Sequence, residues 1–127
     1  MCAMSKGQIE AKVSEAVSRF EIEYMGRGPK QIRTMIIQDM IIIRIKGFLS
    51  PSEQKLAENG QGRDLIRQMR SMLFETARDQ LSVTISQITG SALTGLYSDI
   101  NMTNGEKIIV ATAADNLEAA DISDNSR

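Results

Sequence analysis

The sequence predicts an α+β domain in the order α-β-β-α-α-β-β, with four strands in one antiparallel sheet and helices on one of its faces. Three observations lead there. Two long runs carry apolar residues at helical spacing, around residues 6–25 and 62–89. Two paired runs, 31–48 and 92–113, are rich in β-branched residues and alternate in polarity. Cap and turn residues stand at the boundaries between them, and hairpins joined by helices pack most simply as a sheet with helices on one side.

In the first helix, Ile9, Val13, Ala16, Val17, Phe20 and Tyr24 form the apolar side, and Glu10, Glu15, Arg19 and Glu23 the other. Gly26 stands where a left-handed cap belongs, and Pro29 stops the helix from continuing. The first hairpin follows. Ile41, Ile43 and Ile45 share one face, Ile42, Arg44 and Lys46 the other, and Gln38-Asp39 marks the turn. "SPSE" then combines an N-cap at Ser50, proline at Pro51 and a capping-box partner at Glu53. That short helix ends near Asn59-Gly60. The long helix carries Leu65, Ile66, Met69, Met72, Leu73, Leu81, Ile85 and Ile88 as its apolar residues, and Gly90 closes it. Asn104-Gly105 joins the strands of the second hairpin. The expected organisation is a flexible 1–5, one domain over 6–113 and an acidic tail over 114–127.

Composition narrows the function classes. At 127 residues the chain fits one domain, and 42% apolar with 24% charged residues is the balance of a soluble protein. A net charge of -1 argues against coating nucleic acid. There is no histidine, which removes the usual general base and Ser-His or Cys-His nucleophile pairs. With Cys2 the single cysteine, there is no internal disulfide and no Cys/His zinc site, and a reducing cytoplasm is the expected compartment. No apolar run approaches the roughly 20 residues of a membrane span, and "MCAMSKGQIE" has no signal-peptide apolar region. A helix of about 27 residues, about 40 Å long, overhangs a domain whose radius of gyration is about 14 Å. That overhang leads to the expectation of a homodimer formed through the long helix.

The candidate ligand-binding residues are Gly26, Arg27, Gly28, Arg33, Arg63, Arg67 and Asp99. "YMGRGPKQIRT" joins two glycines to three cations, a composition able to hold an anion through backbone N–H groups and guanidinium forks. It follows a helix C-terminus, however, where the dipole disfavours anions, and no GxxxxGK[ST] is present. A plain cap and turn is the competing reading. Arg33 can join Arg44 and Lys46 in a basic patch on the sheet. Arg63, Arg67 and Arg70 recur at helical spacing and read as a solvated stripe or an anion-facing one. Asp39 and Asp99 can serve acid–base chemistry or a hard cation, although turn aspartates more often bond their own backbone. Met69 and Met72 read as fillers of core or dimer gaps.

The series "F…E…YMGRGP…IRT…QDM", "LSPSEQKLA…GRDLIRQMR" and "ITG…LYSDI…NGEKIIV" resembles the small bacterial family named for MpsC, a component of a sodium-translocating, membrane-potential-generating system. The resemblance spans about residues 6–113. It implies an association with membrane complexes that handle cations or inorganic carbon, and it supplies no catalytic residues. The expected function is therefore a non-enzymatic accessory or regulatory subunit with no cofactor, acting by contact with a membrane protein without inserting itself. The alternative is a sensor of a small phosphate, carboxylate or nucleotide, using the Gly26–Pro29 turn and nearby arginines.

Overall fold

The computed structural model describes residues 4–118. Parts of the expected flexible N-terminus and acidic tail, residues 1–3 and 119–127, lie outside the described residues. The element order is α1 (Lys6–Met25), β1 (Gln31–Ile37), β2 (Met40–Lys46), α2 (Pro51–Leu56), α3 (Gly60–Thr89), β3 (Leu93–Asn101) and β4 (Glu106–Ala113). The predicted α+β order is the observed one, and the long helix starts two residues earlier than its sequence pattern indicates.

Capping explains the helix boundaries. Ser5 and Gln8 form a reciprocal capping box at the start of α1, and Gly26 closes it in the left-handed region at φ 81°. Ser50 and Glu53 form a second box with Pro51 at the start of α2. Asn59 accepts from the Gly62 amide to open α3, and Gly90, at φ 75°, ends it. β1 and β2 are joined by two residues, of which Gln38 takes a positive φ of 57°. That conformation is uncommon for a residue with a side chain.

The sheet is antiparallel throughout, in the order β1-β2-β4-β3. Its register sets three rows of side chains under the helices. They run Ile32, Ile45, Lys107, Ile100; then Thr34, Ile43, Ile109, Ser98; then Ile36, Ile41, Ala111, Leu96. α1 lies over β1, α3 lies over β3, and the two helices pack on each other, with Phe20 edge-on to Phe74. Val13, Val17 and Phe20 of α1 and Ile66, Phe74, Ala77, Leu81 and Ile85 of α3 close the core. Packing continues past β4: Leu117 is buried, and Glu118 bonds Lys6 and the Gln38 amide.

Among the described residues, no helix covers the opposite face of the sheet. Its central row is Met35, Ile42, Val110 and Tyr97, flanked by Ile37 and Met40 on one side and by Arg33, Arg44, Ile108 and Asp99 on the other. The hairpin register thus places Arg33 directly across from Arg44 on the face that Arg44 shares with Lys46.

Candidate functional site

The buried residues of α3 follow one another at three- or four-residue steps: Ile66, Arg70, Phe74, Ala77, Leu81, Ile85. Arg70 stands inside this stripe and is 3% exposed. The alternation of β4 does the same to Lys107, which shares the core face with Ile109, Ala111 and Ala113 and is 2% exposed. Two cations therefore point into the core from facing elements. Buried charge is costly unless it is paired and hydrogen-bonded, and each has a partner. Lys107 Nζ donates to Glu21 Oε2 of α1 at 2.8 Å. Arg70 forks onto Glu53 of α2, Nε to Oε2 at 2.8 Å and Nη2 to Oε1 at 2.7 Å. Nη2 also donates to the Phe48 carbonyl at 3.1 Å, and the guanidinium lies 4.8 Å from the centre of the Phe48 ring. Glu53 thus has two duties, since Oε1 also accepts from the Ser50 amide in the capping box. The remaining guanidinium nitrogen, Nη1, is buried and has no partner among the described residues.

Burial pushes the Glu53 carboxyl up, but hydrogen bonds from Arg70 and the Ser50 backbone and the charge of Arg70 outweigh it, so it titrates below the ordinary 4.5. Lys107 moves below its ordinary 10.5 because desolvation exceeds the stabilisation by Glu21, and the nearby charge of Arg70 adds to the shift. Depression of Glu53 has a consequence for acid stability. The unfolded chain takes up its proton first, so the contribution of Glu53 is complete above about pH 4.5 and is lost as pH falls through the lower folded value. Thermal midpoints measured from pH 6 to pH 3 are expected to fall, and Glu53→Gln, less stable at neutral pH, to give a shallower slope. Equal slopes in the two proteins would assign the acid sensitivity to other groups.

Above Arg70 and Lys107 lies a cavity of about 260 Å³ between α3 and β3, lined by Arg67, Arg70, Ser71, Phe74, Glu75, Arg78, Ser98, Asp99, Ile100 and Lys107. Arg78 and Glu75 form an ion pair at 2.6 Å, and Arg78 also donates to the Leu96 carbonyl. Arg67 donates to the Ile100 carbonyl at 3.2 Å and lies 3.6 Å from Asp99.

Of the residues singled out in the sequence, the structure brings Arg67 and Asp99 together at this cavity. Arg63, one turn earlier, instead donates to the Ala57 carbonyl at the end of α2. Gly26 is the α1 cap and Gly28 packs its backbone against Ile22, where a Cβ would meet Ile22 Cγ1 at 3.2 Å. Arg27 lies between them, half-buried, in the turn leading to β1. Arg33 sits on β1, on the face away from the helices. Two strands separate β1 from β3, so Arg33 is on the order of 14 Å across the sheet from the cavity edge. Asp39 lies in the β1–β2 turn, where its carbonyl accepts from Ala113. No group of three or more Cys, Asp or Glu among the described residues is arranged to hold a metal ion.

Glu21, Glu53, Arg70 and Lys107 are the residues that sequence reasoning missed as a group. Read as a solvated or anion-facing stripe, Arg63, Arg67 and Arg70 in fact divide: the first two are exposed and Arg70 is turned inward. The signal was present in its position four residues after Ile66 and four before Phe74, both core. The apolar residues of α3 divide as well. Leu65, Met69 and Met72 are 59%, 45% and 65% exposed, on the side of α3 away from its buried stripe.

Residues 5–115 match the family model described as "Na+-translocating membrane potential-generating system (MpsC)". The chain belongs to the MpsC family. Two Bacillus subtilis (strain 168) proteins are similar to it. The chain is 35% identical over 114 residues to "Uncharacterized protein YbcI", covering 90% of this chain and 92% of that protein. It is 28% identical over 90 residues to "Uncharacterized protein YrhF", covering 70% and 74%. No solved structure matches. No helix among the described residues is long and apolar enough to cross a membrane.

Proposed function

We propose that this protein is a non-enzymatic accessory component of a membrane cation or inorganic-carbon transport system, acting as a homodimer by protein–protein contact from the cytoplasmic side. The family description supplies the context of sodium translocation. In this reading the ion path belongs to another chain. The observation that supports contact as the mode of action is the sheet face that no helix among the described residues covers. Met35, Ile42, Val110 and Tyr97 run across all four strands there, with Ile37 and Met40 beside them. A contiguous apolar patch of this kind marks an interaction surface.

The dimer rests on a separate surface. Leu65, Met69, Met72, Thr76 and Val83 recur along the outer side of α3, the first four at alternating four- and three-residue steps, the spacing of a helix–helix seam. α3 has 30 residues and is about 45 Å long, so this side offers a second copy an extended and self-complementary partner.

Light scattering during gel filtration is expected to give twice the chain mass of 14.0 kDa for the wild type and the single mass for Met72→Glu. A wild-type monomer at micromolar concentration would remove the dimer. Tyr97→Glu, on the other surface, is expected to keep the dimer but lose co-purification with a sodium-translocating membrane complex from its own cells. Co-purification that survives Tyr97→Glu and Ile37→Glu alike would refute the sheet face as the contact.

A further inference from the structure

We infer that the cavity between α3 and β3 is a binding site for a small oxyanion, a carboxylate or a phosphate, seated beside the buried Arg70 guanidinium and closed over by Arg67 and Arg78. The inference goes beyond the accessory reading and rests on neither of its contact surfaces.

The first argument is the state of Arg70. Its guanidinium is fixed on one edge by the fork to Glu53, by the Phe48 carbonyl and by stacking on Phe48. The nitrogen left over is buried and donates to nothing among the described residues. Leaving a charged donor unsatisfied in the interior is expensive, and native proteins rarely do so without a reason. Arg70 is also one of the residues that line the cavity. A donor immobilised in advance loses little freedom when it takes up a ligand, which favours binding.

The second argument is charge. The lining presents four cations, Arg67, Arg70, Arg78 and Lys107, and two carboxylates, Glu75 and Asp99, while Glu53 and Glu21, the partners of Arg70 and Lys107, stand outside the lining. The charge of Arg70 already contributes to holding Lys107 below its ordinary range, so the two buried cations act on each other. An anion in the cavity would relieve that repulsion. Ser71 and Ser98 bring hydroxyl donors to the same lining. Guanidinium groups match the planar or tetrahedral oxygens of carboxylate and phosphate.

Size limits the class of ligand. About 260 Å³ lies below the roughly 300–1,000 Å³ of pockets that enclose drug-sized molecules. The cavity fits inorganic phosphate or a short carboxylic acid, and a nucleotide would have to leave its base outside.

The test is isothermal titration of the purified protein at matched ionic strength, with inorganic phosphate in one arm, succinate in a second and sodium chloride in a third. Saturable binding of one phosphate or one succinate per chain is expected, and the arm that binds identifies the oxyanion. Ser71→Leu fills the cavity from α3 without touching the Arg70–Glu53 fork and is expected to weaken binding by at least about tenfold. Its circular dichroism should match the wild type. Should Ser71→Leu fail to fold, Arg67→Gln, changing a side chain that is half exposed, carries the same expectation of weaker binding. Saturation by neither oxyanion would overturn the inference, as would a response to chloride equal to theirs. Binding unchanged in the folded cavity variants would do so too.

Discussion

Lys107→Met is expected to destabilise the protein by about 3–5 kcal/mol, the cost of leaving one member of a buried ion pair without the other. For a domain of this length that lowers the thermal midpoint on the order of 10–20 °C. Methionine preserves most of the side-chain volume, so a cavity contributes little. The loss comes from Glu21, which is 1% exposed and whose Oε2 is held by Lys107 at 2.8 Å. Lys107 also lies 5.7 Å from the centre of the Phe74 ring, so α1, α3 and β4 meet at this ammonium group. Adding Glu21→Gln to Lys107→Met removes the orphaned charge, and the double variant is expected to recover most of the lost stability. Urea unfolding of the two single variants and the double completes the cycle. A double variant as unstable as the sum of the singles would show that the two side chains act independently, through packing alone.

Such pairs explain how far the sequence could be read. Element order was legible because its signals are local. Ser50-Pro51-Glu53 can only open a helix efficiently, Gly26 and Gly90 provide left-handed caps, and Asn104-Gly105 closes a hairpin. The interior of the sheet followed from alternation, as Ile41, Ile43 and Ile45 show. The site was less legible because residue type and position conflict there. Arg70 and Lys107 occupy core positions with side chains that periodicity normally assigns to solvent. Their partners come from 17 and 86 residues away in sequence, distances at which no local spacing rule applies. Arg67 was singled out by helical spacing and Asp99 as a carboxylate in a strand-like run, but as separate candidates, because only the packing of α3 over β3 makes them neighbours. The glycine-rich turn carried two readings, a cap with a turn and an anion cradle. Gly26 has a structural role as a cap, and the candidate cavity lies at the β3 edge of the sheet, opposite the β1 edge that the turn leads into.

Gly62→Ala carries the second large expected effect. A Cβ built on Gly62 would lie 1.7 Å from the Leu56 carbonyl oxygen, 2.6 Å from its carbon and 3.2 Å from the Leu56 Cα. These are backbone atoms, so no side-chain rotation relieves the overlap, and α2 must move away from α3. Alanine improves on glycine within a helix by about 1 kcal/mol, and overpacking opposes that by about 1–3 kcal/mol or more. With an overlap this deep the steric cost dominates, and a net loss of about 2 kcal/mol or more is expected in thermal or urea unfolding. Gly60→Ala is the internal control, because its nearest neighbour would be Arg63 Nη2 at an ordinary 3.6 Å. That change is expected to be neutral or slightly stabilising. The contrast reaches the cavity through one connection. α2 holds Glu53, Glu53 holds Arg70, and Arg70 lines the cavity, so pushing α2 outward loosens the fork that fixes the guanidinium. Gly62→Ala should therefore weaken oxyanion binding along with stability, while Gly60→Ala leaves both intact. Equal stability of the two variants would mean that α2 and α3 do not meet at Leu56 and Gly62, and the positioning of Arg70 by α2 would fall with that contact.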